Sequence, residues 1–145
     1  MATSADVRRR TAASEAWQLI RELAYGQRAL FQAMAAEFEL SPPQIWALMR
    51  LERDEAIAMS KLAEALACDN SNVTGLIDRL EQRGLVKRQA AERDRRVRML
   101  VLTGEGVELR DRLRERINTP PPQLTGLSAV DQRALRDIMR RALER

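Results

Sequence analysis

Apolar residues recur every three or four positions along residues 14–38. Trp17, Ile20, Ala24, Phe31, Met34 and Phe38 share a stripe with Gln27, and Leu23 and Leu30 widen it. The spacing predicts a helix of roughly 25 residues, capped by Ser14, whose stripe is too broad for one small domain to bury. A partner helix from a second subunit is implied. Leu40-Ser41-Pro42-Pro43-Gln44-Ile45 then predicts a second start: Ser41 as cap, Pro42 in the first turn, Gln44 closing a capping box and Leu40 stapled to Ile45. That helix is expected to reach Arg53, with Ile45, Leu48 and Leu51 inward. Asp54 and Glu55 mark a turn, and Ala56 to Ala58 a short strand edge. A third helix is expected from a Ser60 cap, with Leu62, Ala63 and Leu66 inward. Ala67-Cys68-Asp69 is the turn into a fourth, Asn70 to Arg83, capped by Asp69 and buried through Val73, Leu76, Ile77 and Leu80. Gly84 ends it in the left-handed conformation.

The period then changes to two. Leu85 to Gln89 and Val97 to Leu102 read as strands around a polar loop, Ala90 to Arg96. In the second strand Val97, Met99 and Val101 face one way and Arg98, Leu100 and Leu102 the other. Thr103 caps a fifth helix with the stripe Val107, Leu109, Leu113 and Ile117, stopped at Pro120 to Pro122. Ser128 caps a sixth, with Leu135, Ile138, Met139, Ala142 and Leu143 apolar. Helix, tight turn, helix and hairpin in succession over residues 60–102 define a winged helix-turn-helix. The fold class expected is mainly α, six helices with a small β-wing. Residues 41–103 form the DNA-binding winged helix-turn-helix, and residues 1–40 and 104–145 a helical dimerisation region.

Composition narrows this picture. Hydrophobic residues are 45% of the chain but aromatics only 3%, so aliphatic side chains must carry the core, which suits helix on helix. No apolar run approaches the ~20 residues that cross a bilayer, and MATSADVRRRTAASEAW lacks the apolar block of a secretory signal. With Cys68 alone, no internal disulfide can form. A cytoplasmic protein without membrane contact is expected. The net charge is +4, but residues 79–116 hold twelve basic and seven acidic side chains, more net charge than the whole chain. Concentrated positive charge is what phosphate attraction requires; beyond Arg110 a solvated helix face is the preferred reading. Enzyme classes drop out. The chain has no histidine, one cysteine and no glycine-rich phosphate loop. No catalytic residue, metal site or cofactor is expected.

The exposed face of the fourth helix carries Asn70, Ser71, Asn72, Thr74, Gly75, Asp78 and Arg79. Short polar side chains suit the major groove: Asn bridges adenine N6 and N7, and Ser and Thr meet phosphates or base edges. Gly75 costs about 1 kcal/mol against Ala inside a helix. It marks either close approach to DNA, the loss of a base-reading side chain, or a neutral exposed site. At the wing tip, Arg95 or Arg96 can enter a narrow minor groove, and Arg93 joins them as a DNA-binding candidate. Asp94 suits it poorly and is expected to pair with an arginine and fix the tip. Ala67 stands where such turns commonly carry Gly, a strain of about 1 kcal/mol if its φ is positive.

LSPPQIWALMRL, KLAEALACDNSNVTGLIDRLEQRGLVKR and DRRVRMLVLTGEG together resemble the multiple-antibiotic-resistance regulator (MarR) family. The resemblance covers residues 14–143. Asp94 and Arg96 match its Asp-x-Arg wing, and Leu102, Thr103 and Gly106 its Leu-Thr-x-x-Gly. It implies a homodimer framed by the first, fifth and sixth helices that represses transcription at a pseudo-palindromic operator in double-stranded DNA. Arg96 becomes the minor-groove arginine and Asp94 its orienting acid. Gly75 departs from the family, where arginine is frequent. Many members release DNA on binding small phenolic or aromatic ligands, in a pocket where the first and fifth helices meet the reading domain. Trp17, Arg21, Tyr25 and Arg28 are the candidates for holding an aromatic carboxylate, with dimer-core packing of Trp17 and Tyr25 the other reading. Some members respond to thiol oxidation. Cys68 is then either a sensor or a small apolar turn residue. A protein–protein adaptor on the same fold is the remaining alternative.

Overall fold

The computed structural model describes residues 11–67 and 70–144. The described residues form helices α1 (Ala12–Glu37), α2 (Pro42–Arg50), α3 (Met59–Ala65), α4 (Asn70–Gln82), α5 (Gly104–Asn118), α6 (Pro122–Thr125) and α7 (Ala129–Leu143). Three strands, β1 (Ile57–Ala58), β2 (Val86–Ala90) and β3 (Arg98–Leu102), make an antiparallel sheet in the order β1-β3-β2. The mainly helical fold with a small wing is the one the periodicity predicts. The addition is α6, a single turn after the prolines, where Pro122 is pre-set for a first helical position.

Several caps lie where expected. The Thr103 hydroxyl accepts from Gly106 N at 3.0 Å and that of Ser128 from Asp131 N at 3.1 Å. Gln44 Oε1 accepts from Ser41 N at 2.7 Å. Others move. α1 is capped by Thr11, not Ser14: the Thr11 hydroxyl accepts from Ser14 N at 3.2 Å. α2 stops at Arg50, short of Arg53, because Leu51 turns extended to bury its side chain. Ser60 lies inside α3 rather than capping it. β1 pairs with β3 through Ile57–Leu100 and Ala58–Met99, so the chain passes from ladder to helix at Met59. α4 ends at Gln82, a residue before Arg83, and Gly84 takes the left-handed conformation at φ 70°. The first strand is shifted by one residue and the second begins at Arg98 rather than Val97, pairing Val86 with Leu102 and Ala90 with Arg98.

One core is enclosed by α2, α3, α4, the sheet and parts of α1 and α5. Ile45, Leu48, Leu51, Leu62, Val73, Ile77, Leu80, Leu100 and Leu113 are buried in it. The last turns of α1 add Met34, Ala35 and Phe38. Gly106 explains the Leu-Thr-x-x-Gly spacing: a Cβ there would collide with the Leu85 carbonyl, against which the first turn of α5 lies. Thr103 N and its hydroxyl also donate to the Leu85 and Gly84 carbonyls, at 3.1 and 2.5 Å. These contacts fix α5 to the end of α4. Earlier on α1, Trp17, Ile20 and Leu30 stay exposed, as do Val130, Ile138 and Leu143 of α7.

Candidate nucleic-acid interface

α3 and α4 pack on each other. Ala67 sits at φ 49°, the strained conformation anticipated for it. Cys68 and the expected Asp69 cap lie outside the described residues. Val73, Ile77 and Leu80 anchor α4 in the core with Leu76 half-buried. That orientation exposes Asn72, Thr74, Gly75, Asp78 and Arg79. Asn70 and Ser71 begin the helix. A Cβ added at Gly75 would meet nothing within 4 Å, so the glycine is not demanded by packing.

The wing projects beside this face. At its tip Asp94 Oδ1 accepts from Arg96 N at 2.9 Å, and the Asp94 carbonyl accepts from Val97 N at 3.0 Å. Asp94 therefore fixes the tip through backbone rather than by pairing with an arginine side chain. Short Asp side chains close such turns on the amide two residues on. Arg93, Arg95 and Arg96 are exposed, and among the described residues they carry no ion pair; the same holds for Arg79.

Other members of the basic segment are already engaged. Arg83 donates to the Glu39 carbonyl at 2.5 Å and the Phe38 carbonyl at 3.3 Å, closing the end of α1. Arg88 of β2 donates to Asp78 and Glu81 of α4 at 2.6 and 2.5 Å. Partial burial opposes its charge, but hydrogen bonds and Coulomb attraction from the two carboxylates outweigh it and raise its pKa. Arg110 of α5 is 2% exposed and bonds to Glu52, which also takes Arg114 at 3.4 Å. Sequence reasoning counted these arginines as surface charge. Their partners lie up to 62 positions away, so spacing carried no signal.

The effector candidates do not enclose a cavity. Trp17, Arg21 and Tyr25 line one shallow face of α1 with Ser14, Gln18 and Glu22; the Arg21 guanidinium carbon lies 5.7 Å from the centre of the Tyr25 ring, and Arg28 is outside this group. The larger concavity, about 720 Å³, opens between α2, α3 and α4 with Gln44, Trp46, Arg50, Gly75 and Arg79 on its wall. Trp46 stacks on Phe31 at 5.3 Å between ring centres. Among the described residues no group of acids or cysteine is placed to hold a metal ion, and no helix is long and apolar enough to cross a membrane.

A polar helix face presented by a helix-turn-helix and flanked by an arginine-tipped hairpin defines a winged helix-turn-helix protein. The sequence model of the MarR family matches residues 40–97 of this chain. Among curated relatives, it is similar to the HTH-type transcriptional regulator YfiV of Bacillus subtilis, 42% identical over 46% of this chain and 42% of that protein. It is also similar to the HTH-type transcriptional repressor MdtR of the same organism, 34% identical over 61% of this chain and 62% of that one. The matches thus span about half the length of these relatives. Among solved structures, the PcaV transcriptional regulator of Streptomyces coelicolor, in complex with its natural ligand, superposes with a TM-score of 0.63. It is 28% identical, over 99% of this chain and 98% of that one. These relatives are described as transcriptional regulators or repressors.

Proposed function

We propose that this chain is a sequence-specific DNA-binding transcriptional regulator, acting as a homodimeric repressor at a pseudo-palindromic operator. Residues 41–103 do the reading and residues 1–40 and 104–145 join the two copies. The observation that carries the reading is the exposed polar face of α4 beside a wing whose Arg93, Arg95 and Arg96 carry no ion pair among the described residues. α4 enters the major groove through Asn70, Ser71, Asn72, Thr74 and Arg79, and Gly75 lets the backbone come close. Arg96 enters the adjacent minor groove, with Asp94 holding its backbone. Two-fold symmetry sets the reading helices ~34–36 Å apart, one turn of duplex. The repressor MdtR supports the sign of regulation by similarity. Arg96→Ala is expected to weaken operator binding and to lower the slope of log affinity against log salt by ~1. An unchanged slope removes Arg96 from the interface.

Release by a small aromatic acid is the second part of the proposal. PcaV, a structural relative, is described with a natural ligand. The Arg21–Tyr25 contact beside Trp17 offers a cation and aromatic faces to a carboxylate. Calorimetry against a set of aromatic acids tests it: heat abolished by Trp17→Ala but kept in Trp46→Ala assigns the α1 face, and no heat with no operator release disposes of the effector.

A further inference from the structure

Asp78 and Arg88 raise a question that the reading face leaves open. Asp78 lies on the exposed side of α4, an acid on a helix meant to meet polyanionic DNA, and Glu81 follows one turn later. Arg88, on the first strand of the wing, takes both. Its Nη2 donates to Asp78 Oδ1 at 2.6 Å and to the Thr74 carbonyl at 3.4 Å, and its Nη1 to Glu81 Oε2 at 2.5 Å. Glu81 also accepts from the Arg88 backbone amide at 3.2 Å, so a single carboxylate grips both main chain and side chain of the strand. The Arg88 side chain is 23% exposed, less than any other arginine in an ion pair except Arg110. A planar guanidinium with fixed donors holds such a geometry better than a flexible ammonium.

We propose that Arg88 is a positioning residue that sets the angle of the wing against the reading helix, and that Asp78 and Glu81 are its anchors rather than DNA contacts. The inference rests on the DNA-reading function proposed above. A two-stranded hairpin is marginal by itself and takes its direction from what it packs on. Val86 is buried at its base, and two residues further out Arg88, opposite the buried Leu100, ties the strand to α4. The tie joins the two parts that must enter neighbouring grooves together. Its charge is spent on the carboxylates, so it contributes to register and not to phosphate attraction.

The experiment uses the full chain, a duplex selected from random sequence by the wild-type protein, and a scrambled duplex of equal length. Affinities for both are measured over a range of salt, with thermal midpoints recorded. Arg88→Met is expected to lower the ratio of selected to scrambled affinity by roughly tenfold while leaving affinity for the scrambled duplex and the salt slope unchanged. Asp78→Asn with Glu81→Gln cuts the same tie from the helix side and keeps Arg88; it is expected to lower the ratio similarly, and it serves where Arg88→Met does not fold. Arg88→Lys falls between. A ratio within twofold of wild type in both variants overturns the inference, as does a salt slope reduced by ~1 in Arg88→Met, which would make Arg88 a phosphate contact. A wild-type protein that discriminates no duplex overturns the function itself, and this inference with it.

Discussion

The centre of the molecule and its outer helices carry the same hydrophobic periodicity and opposite fates. In the centre, Leu48, Ile77 and Leu100 are fully buried. On α1 and α7, Trp17 is 61% exposed, Ile138 53% and Leu143 77%, although they stand at equally regular spacing. A stripe states that a helix has an apolar face; it does not state which surface covers it. In residues 40–113 the covering surface is local: α2, α3, α4 and the sheet close on one another. Among the described residues of one chain, the stripe on the first half of α1 stays largely uncovered, and on α7 Leu135 and Met139 meet the α6 turn while Ile138 and Leu143 stay exposed. That contrast is the physical support for the proposed dimer, since exposed apolar faces of this size mark association surfaces.

The contrast can be broken at its strong end first. Leu48→Ala removes a fully buried side chain and is expected to lower unfolding free energy by about 2–5 kcal/mol in urea titration. A loss below 1 kcal/mol would mean that the centre is not the stabilising unit. Next comes the charge pair between the centre and α5. Glu52→Ala leaves the buried Arg110 guanidinium with only the looser Asp111 carboxylate, 3.8 Å away, and should cost about 2 kcal/mol, below the range for fully buried pairs because Asp111 remains and Glu52 stays half in water. Arg110→Met, by contrast, replaces a buried cation by an apolar chain and is expected to be neutral within about 1 kcal/mol. Equal losses in the two would contradict the burial asymmetry. Ala67→Gly relieves a left-handed alanine and is expected to stabilise by up to about 1 kcal/mol, read as a rise in denaturant midpoint at constant slope. The smallest effect lies at the outer helices. Ile138→Ala should change the stability of the dilute chain by less than about 0.5 kcal/mol, while removing part of the concentration dependence of the thermal midpoint that a dimer would show. A large change in stability without any change in concentration dependence would place Ile138 in a core rather than an interface.

Much of this was legible because it is local. Capping residues act within one turn, so Thr103, Ser128 and Gln44 announce their helices, and the strain at Ala67 follows from its standing where such turns commonly carry Gly. The misplaced caps share a cause: Ser14 and Ser60 are good capping residues overruled by neighbours, Thr11 in one case and strand pairing of Ala58 in the other. Asp94 was legible as the residue that fixes the wing tip, but not the atom it bonds. Arg83, Arg88 and Arg110 were not legible, because charge counted along the chain cannot distinguish an arginine facing water from one spent on a distant carbonyl or carboxylate. The polar face of α4 and the unpaired wing arginines could be named from sequence; the tie between them could not. The single turn of α6 falls in a proline run that reads as a stop and gives no periodic signal.

The most direct test of duplex reading by α4 and the wing is selection of random duplex DNA by the purified protein at physiological salt, followed by footprinting of the selected sequences. A single two-fold symmetric motif is expected, with half-sites about one helical turn apart and wing protection outside the major-groove contacts. Binding that is blind to sequence and lost on a modest rise in salt would contradict it, leaving only a basic surface where a reading helix and wing were proposed.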